Sequence, residues 1–365
     1  MLSLTQISEG FRIFRHVLRA KSGRIKRYKG DAEAICAQIV KDCWNGSYFQ
    51  ASTGHFSQFY ARDFGICVDS LLKLGYKEEV EKTLSYALEC YSKYGRITAA
   101  ITPGGKPYDF LHYSPDSLAF LIRSIRAAGA AELTERYKDF LDMEINRFYD
   151  IVIDKSAGLV MADKIFSSIQ DYSKKRSSCY NNTMAAMLSE ELKKLRLSNP
   201  LGKHNFKKAI ADNFWNGEYF RGDLGSEYVA GEANIFPFWS GVFDEKDMLK
   251  KSVSAIQRNG LDRPFPLKYA CKGARQEMVW LEFLAPGWER DAVWAHMGPL
   301  YIQLVKKVDK STAEDYIKKY AEVIEKNKTY FEVFSPDGKP YESLFYHTDE
   351  GMLWAANFLG LETFK

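Results

Sequence analysis

The chain is predicted to fold as an (α/α)6 toroid, an all-α barrel of six inner and six outer helices, and three features of the sequence lead there. The first is an internal repeat. Gly105-Lys106-Pro107-Tyr108-Asp109-Phe110-Leu111 returns as Gly338-Lys339-Pro340-Tyr341-Glu342-Ser343-Leu344, and an Asp stands eight residues past each Tyr, Asp116 and Asp349. Trp44-Asn45-Gly46-Ser47-Tyr48-Phe49 returns as Trp215-Asn216-Gly217-Glu218-Tyr219-Phe220, and Tyr60-Ala61-Arg62-Asp63 is echoed by Trp288-Glu289-Arg290-Asp291. The offsets of 233, 171 and 228 residues are four, three and four steps of about 57, so six units fill the 365 residues. The second feature is helical rather than alternating spacing of apolar residues, as in Phe64, Val68, Leu71, Leu72 and Leu118, Leu121, Ile122, Ile125. The third is an asymmetry of connections: long loops alternate with short turns such as Leu74-Gly75-Tyr76 and Ala128-Gly129-Ala130.

Along the chain, charged amphipathic segments alternate with more apolar ones. The amphipathic set covers about 30–42, 76–94, 131–149, 202–214, 244–258 and 311–328. One face of each meets water and the other the core, which makes these the outer helices. The other set covers about 62–74, 114–129, 179–196, 232–242, 290–307 and 347–359 and is richer in Gly, Cys and small residues. A helix apolar around most of its circumference is buried around most of it, so these form the inner wall. The connections from outer to inner helix, 43–61, 95–113, 150–178, 215–231, 259–289 and 329–346, carry most of the Gly, Pro, Trp and Tyr. Long loops in a compact fold are usually functional, so these six are expected to build the mouth of the barrel.

Hydrophobic content of 46%, with 15% aromatic, is ample for one core, and no linker or low-complexity tract divides the chain; residues 1–365 are read as one domain. A net charge of +4 implies no extended nucleic-acid surface. The first 29 residues are locally basic, with Arg12, Arg15, Arg19, Lys21, Arg24, Lys26, Arg27 and Lys29 around Phe11, Ile13, Phe14, Val17 and Leu18. This segment is either a basic amphipathic helix that meets a membrane or nucleic acid, or an outer helix or arm with a solvated charged face. The second reading is adopted, and with no run of about 18 apolar residues no membrane partner is expected. Six cysteines without a C-x-x-C or regular pairing read as reduced thiols and a cytoplasmic location. No metal-ligand spacing occurs, and neither metal nor other cofactor is expected. Nothing in the sequence sets an oligomeric state.

Aromatic and acidic residues concentrate on the predicted mouth: Trp44, Trp215, Trp239, Trp280, Trp288 and Trp294, with Tyr48, Tyr60, Tyr108, Tyr219 and Tyr341. A polar cleft walled by rings suits pyranose sugars, whose apolar faces stack while carboxylates and arginines take the hydroxyls. The duplication of W-N-G-x-Y-F at equivalent positions favours a loop fastener for Trp44 and Trp215. Arg62-Asp63 reads either as a sugar contact or as an inter-helix ion pair at a helix start, and Asp116 as a sugar contact or a plain first-turn residue after Pro115. Glu342 shares its G-K-P-Y context with Asp109, so the two either share a loop fold or face the cleft from two sides.

Phe59-Tyr60-Ala61-Arg62-Asp63 resembles the (Y/W)-x-R-D segment that opens the first inner helix of glucoamylases and related six-hairpin glycosidases. His112-Tyr113-Ser114-Pro115-Asp116 is similar to the start of their second inner helix and Trp288-Glu289-Arg290-Asp291-Ala292-Val293-Trp294 to the segment entering their fifth. Asp337-Gly338-Lys339-Pro340-Tyr341-Glu342 lies where that superfamily carries its general base. Each motif is short; their common order across the chain carries the resemblance. It implies an inverting, cofactor-free glycoside hydrolase, with a protonated carboxyl and a carboxylate on opposite sides of the sugar. The acid is then Asp171, with Asp163 second, in a loop where glucoamylases use Glu and trehalase-type and debranching enzymes use Asp. The base is Glu342, with Glu350 second. Tyr60, Arg62, Asp63, His112, Asp116, Trp288, Arg290, His296 and His347 are implied as substrate contacts, and a gluco-oligosaccharide or storage glucan as substrate.

Two other readings use the same barrel. Sugar 2-epimerases of this fold work through histidines, and His55, His112, His296 and His347 lie near the predicted mouth, with His296 and His347 a plausible acid/base pair. A non-catalytic barrel that binds a glycan or a partner is the third.

Overall fold

The structure is a computed structural model that describes residues 3–362. Helix α1 (Leu4–Lys21) opens on a capping box between Ser3 and Gln6. Six helical hairpins follow, each an outer helix leading by a long loop into an inner one. The first pairs α2 (Ala32–Cys43) with α3 (Ala61–Lys73), and the second α4 (Lys77–Tyr94) with α5 (Pro115–Ala128). In the third, the outer element is broken at Tyr137 into α6 (Ala131–Arg136) and α7 (Lys138–Val152), and the inner helix is α8 (Cys179–Leu195). The last three are α9 (Phe206–Phe214) with α10 (Gly231–Trp239), α11 (Lys246–Arg258) with α12 (Met297–Lys306), and α13 (Lys310–Asn327) with α14 (Ala355–Glu362).

The inner helices touch in the order α3, α5, α8, α10, α12, α14 and back to α3, so the ring is closed. Side-chain caps fix where several helices start: Asp31, Ser178, Asn205 and Asp309 each accept a backbone N–H from the first turn they precede. Gly95 and Gly129 end α4 and α5 in the left-handed conformation that favours glycine. Burial follows the pattern read from the sequence. From α8, residues Cys179 to Ser189 are all buried, whereas α11 buries only Leu249, Ser252, Val253, Ala255 and Ile256.

Two predicted inner helices start later than their sequence suggested. Residues 290–296 and 347–354 are not helical, because their backbone is committed to loop pairing: Val293–Trp294 pairs with Val333–Phe334, and Met352 bridges to Ser52. The basic N-terminal segment is a helix, α1, but it is not part of the outer ring. Trp44 and Trp215 are fasteners. Each pairs across a tight loop with Phe49 or Phe220, and Asn45 or Asn216 accepts two backbone N–H groups inside the turn. Among the described residues no helix is long and apolar enough to cross a membrane.

Close approach to the wall is strictest at Gly298, in the first turn of α12. A Cβ there would lie 1.8 Å from the Tyr320 hydroxyl and 2.7 Å from the backbone oxygen of Pro266. Gly298→Ala is therefore expected to cost about 2–3 kcal/mol through overpacking, read as a lower denaturant midpoint at unchanged m-value.

Candidate active site

The long loops meet over a cavity of about 400 Å³ at one end of the ring, within the size range of small-molecule sites. Its charged lining comes from α1 (Glu9), from α3 (Arg62 and Asp63), from the loop before α8 (Asp171), and from the loops before α12 and α14 (Glu289 and Glu332). Tyr60, Tyr172, Trp288, Trp294, Tyr346 and Trp354 supply aromatic walls.

Each charged group is held by its own supports. Arg62 donates from Nε to Asp116 at 2.7 Å, and its Nη2 stands 3.9 Å from the Asp171 carboxylate. Asp116 also accepts from the Tyr180 hydroxyl at 2.9 Å and from Ser114 at 3.0 Å. It is fully buried and does not line the cavity, so it positions Arg62 rather than meeting a ligand. The inter-helix ion pair and the site contact expected as alternatives for Arg62 thus coexist. Asp63, in the first turn of α3, is raised to about 6 by burial against the opposing pull of Arg62.

Asp171 rides on a loop clasped from across the ring. Glu289 accepts the backbone N–H groups of Asp171 at 2.7 Å and Tyr172 at 2.8 Å, and Gln170 donates to the Glu289 carbonyl at 2.7 Å. Trp288 stacks on Tyr172 with ring centres 5.5 Å apart. Desolvation raises Asp171 to about 6, against the pull of Arg62, and raises Glu289 to about 8, where the Asp171 carboxylate adds to the rise. Glu332 accepts the Tyr346 hydroxyl at 2.5 Å; burial, reinforced by Asp349, lifts it to about 8. Since α8 and α14 are the third and sixth of six inner helices, Asp171 and Glu332 enter the cavity from hairpins on opposite sides of the ring.

Among the buried nitrogens at this cavity, Trp288 Nε1 and His296 Nδ1 have no hydrogen-bond partner within the protein. A buried polar atom left unpaired is costly, and a ligand hydroxyl would satisfy it. Burial lowers His296 to about 3, so its imidazole is neutral.

Several residues expected at the site lie elsewhere. Glu342 has a side chain 57% exposed, does not line the cavity, and stands 3.6 Å from Lys21. The alternative Glu350 is buried beside His16, and Asp163 is exposed at the surface. Asp109 fastens its own loop by accepting the backbone N–H of Ala99 and pairing with Arg96, so the repeated G-K-P-Y is a shared loop fold. Arg290 pairs with Glu282 at 2.9 Å, and neither it nor His112 lines the cavity. His347 is buried against its neighbour's carbonyl at 2.8 Å and Phe331. Of the expected contacts, Tyr60, Arg62, Asp63, Asp171, Trp288 and His296 line one cavity; Asp116 touches it through Arg62. The repeat partner of Asp116, Asp349, is likewise a buried support, accepting the backbone N–H groups of His55 and Phe56 and the Ser52 hydroxyl.

Sequence reasoning missed Glu289, Glu332, Tyr346 and α1. Glu332 carried a readable signal, since it is the one acidic residue in the aromatic run Tyr330-Phe331-Glu332-Val333-Phe334. Helix α1 runs over the mouth, lining the cavity with Gln6, Glu9, Gly10, Ile13 and Phe14. It is tied to loops of three hairpins: Arg12 donates to Ser57 at 3.2 Å, Gln6 to the Asp109 carbonyl at 3.0 Å, and Lys21 to the Leu344 carbonyl at 3.0 Å.

The (α/α)6 fold is shared with several glycosidases of solved structure. A rhamnosidase from Klebsiella oxytoca with rhamnose bound superposes with a TM-score of 0.63 at 10% identity over 93% of this chain, which spans 65% of that one. A glycosidase variant in complex with glucose gives 0.61 at 11% identity, covering 98% of this chain and 97% of its own. A mannosylglycerate hydrolase of glycoside hydrolase family 63 from Thermus thermophilus, in complex with Tris, gives 0.61 at 10% identity over 91% and 100%. No family model and no curated protein sequence matches the chain.

Proposed function

We propose that the protein is an inverting glycoside hydrolase in which Asp171 is the general acid and Glu332 the general base. The observation that carries this reading is that two desolvated carboxyl groups reach one aromatic-walled cavity from opposite hairpins of the ring. Asp171 would give its proton to the glycosidic oxygen as the bond to the anomeric carbon breaks. Glu332 would take a proton from the water that attacks that carbon from the other face. Arg62 and Asp63 would hold sugar hydroxyls, and the free nitrogens of Trp288 and His296 would complete the set. Glu289 acts through the Asp171 loop and is a positioning residue.

We infer an α-glucoside as substrate, with one pyranose held in the cavity rather than a long glucan, because α1 lies across the mouth of a cavity of about 400 Å³. The epimerase reading is disfavoured: it needs two histidines at the sugar, and among the described residues only His296 lines the cavity.

The proposal is tested by the pH dependence of kcat/KM on an α-glucoside. With the acid near 6 and the base near 8, the competent form has the proton on the group that holds it less tightly. The expected profile is a bell centred at about pH 7, with limbs at about 6 and 8, in which about one molecule in a hundred is correctly protonated at the maximum. A profile flat from pH 5 to pH 9 would sink the assignment.

A further inference from the structure

Helix α1 turns one face to the cavity and another to water. Leu4, Ile7, Phe11 and Leu18 follow helical spacing and form an exposed apolar ridge, with Phe11 67% and Leu18 54% exposed. A second apolar rim abuts it, since Lys21 of α1 is bonded to the carbonyl of Leu344. In that rim Trp280 (73% exposed) stacks on Phe283 at 6.0 Å, Phe283 meets Phe345 at 6.2 Å, and Leu344 is 79% exposed. Two exposed apolar patches side by side at the mouth of a site mark an interaction surface.

The charges around it select the partner. Arg15, Arg19, Lys21 and Arg24 are exposed on α1 and just beyond its end. Glu9, the one acidic residue among the first 30, is turned inward and accepts from Gln58 at 2.6 Å and Arg12 at 2.9 Å. An apolar ridge bordered by arginines, with Trp and Phe beside it, is the pattern of a helix that lies in the plane of an anionic bilayer. Self-association through the same face would bring two cationic surfaces together.

We propose that α1 and the rim dock the protein on an anionic lipid bilayer with the cavity mouth toward the lipid, so that the sugar cleaved is the headgroup of a glycolipid. The docking half stands on the surface of α1 and the rim, and the substrate half rests on the hydrolase reading above. Most of the wall that α1 and the rim give the cavity, Ile13, Phe14, Leu281, Leu284 and Phe345, is apolar and suits an aliphatic aglycone, with Gln6 and Glu9 of α1 as its polar members. The sequence reading considered a membrane-binding amphipathic helix for this segment and adopted a solvated charged face; which of its apolar side chains stay exposed is set by how α1 packs on the ring.

The test is co-sedimentation of the full chain with vesicles of phosphatidylcholine alone and with about one third phosphatidylglycerol, across a salt series. Binding is expected to the anionic vesicles only and to weaken as salt rises. The double substitution Phe11→Glu, Leu18→Glu should lower that binding about a hundredfold. Because neither side chain lines the cavity, thermal unfolding and turnover of a soluble aryl α-glucoside should stay unchanged. Absence of binding, binding indifferent to the double substitution, or a dimer in light scattering that this substitution dissolves would overturn docking. Intact docking and soluble turnover with no hydrolysis of a vesicle-borne α-glucosyl lipid would overturn the substrate half. Vesicle binding with no turnover of either glucoside would instead count against the hydrolase reading.

Discussion

Asp171→Asn should lower hydrolysis of an alkyl α-glucoside by about 10³–10⁴-fold, the scale of a general acid acting on a poor leaving group. A 2,4-dinitrophenyl glucoside departs without needing a proton, so the same variant should lose far less on it. The contrast separates acid catalysis from damage to binding, which would affect both substrates alike. It also separates it from unfolding. Folding raises the Asp171 carboxyl from 3.8 to about 6, so between those values the native protein keeps a proton that the unfolded chain has released. Stability from this group is therefore present below about pH 4 and falls as pH rises toward 6. An amide escapes that cost, and Asp171→Asn should unfold at an equal or higher denaturant midpoint at pH 8. Equal small losses on both glucosides would show that Asp171 is not the acid.

Glu332→Gln should abolish turnover of both glucosides, by about 10³-fold or more, because water must be activated whatever the leaving group. Binding of the sugar should persist, since Arg62, Asp63 and Trp288 are untouched. Glu342→Gln is the paired control. Its side chain is exposed outside the cavity and reaches only Lys21, so kcat and KM should stay near wild type. The reverse outcome, an inactive Glu342→Gln beside an active Glu332→Gln, would reinstate the base that the motif alone suggests.

The contrast between these two glutamates shows what the sequence could and could not convey. The ring was legible because its determinants are periodic: buried α5 and α8, amphipathic α11, and turns at Gly95 and Gly129 all follow from local pattern and backbone chemistry. Late starts of α12 and α14 escaped because pairing between loops from different hairpins overrides local helical spacing at residues 293–294 and 352. In the site, Arg62, Asp63 and Asp171 were legible because they enter directly at or just before inner helices. Glu342 misled because G-K-P-Y conserves a loop shape, and in that shape the residue after Tyr faces outward at one copy and fastens its own loop at the other. Glu289 and α1 were hidden for a plainer reason: a carboxylate that clasps a loop 118 residues away, and a helix laid across three hairpins, are facts of tertiary packing.

The measurement that tests the central claim most directly is NMR of the sugar first released by the wild-type protein from small α-glucosides, α-linked disaccharides, maltooligosaccharides and trehalose. The account predicts release of β-glucose before mutarotation, the anomer inverted from the substrate. Initial release of α-glucose would contradict it, because a retained anomer requires a nucleophile at the position assigned here to water and Glu332.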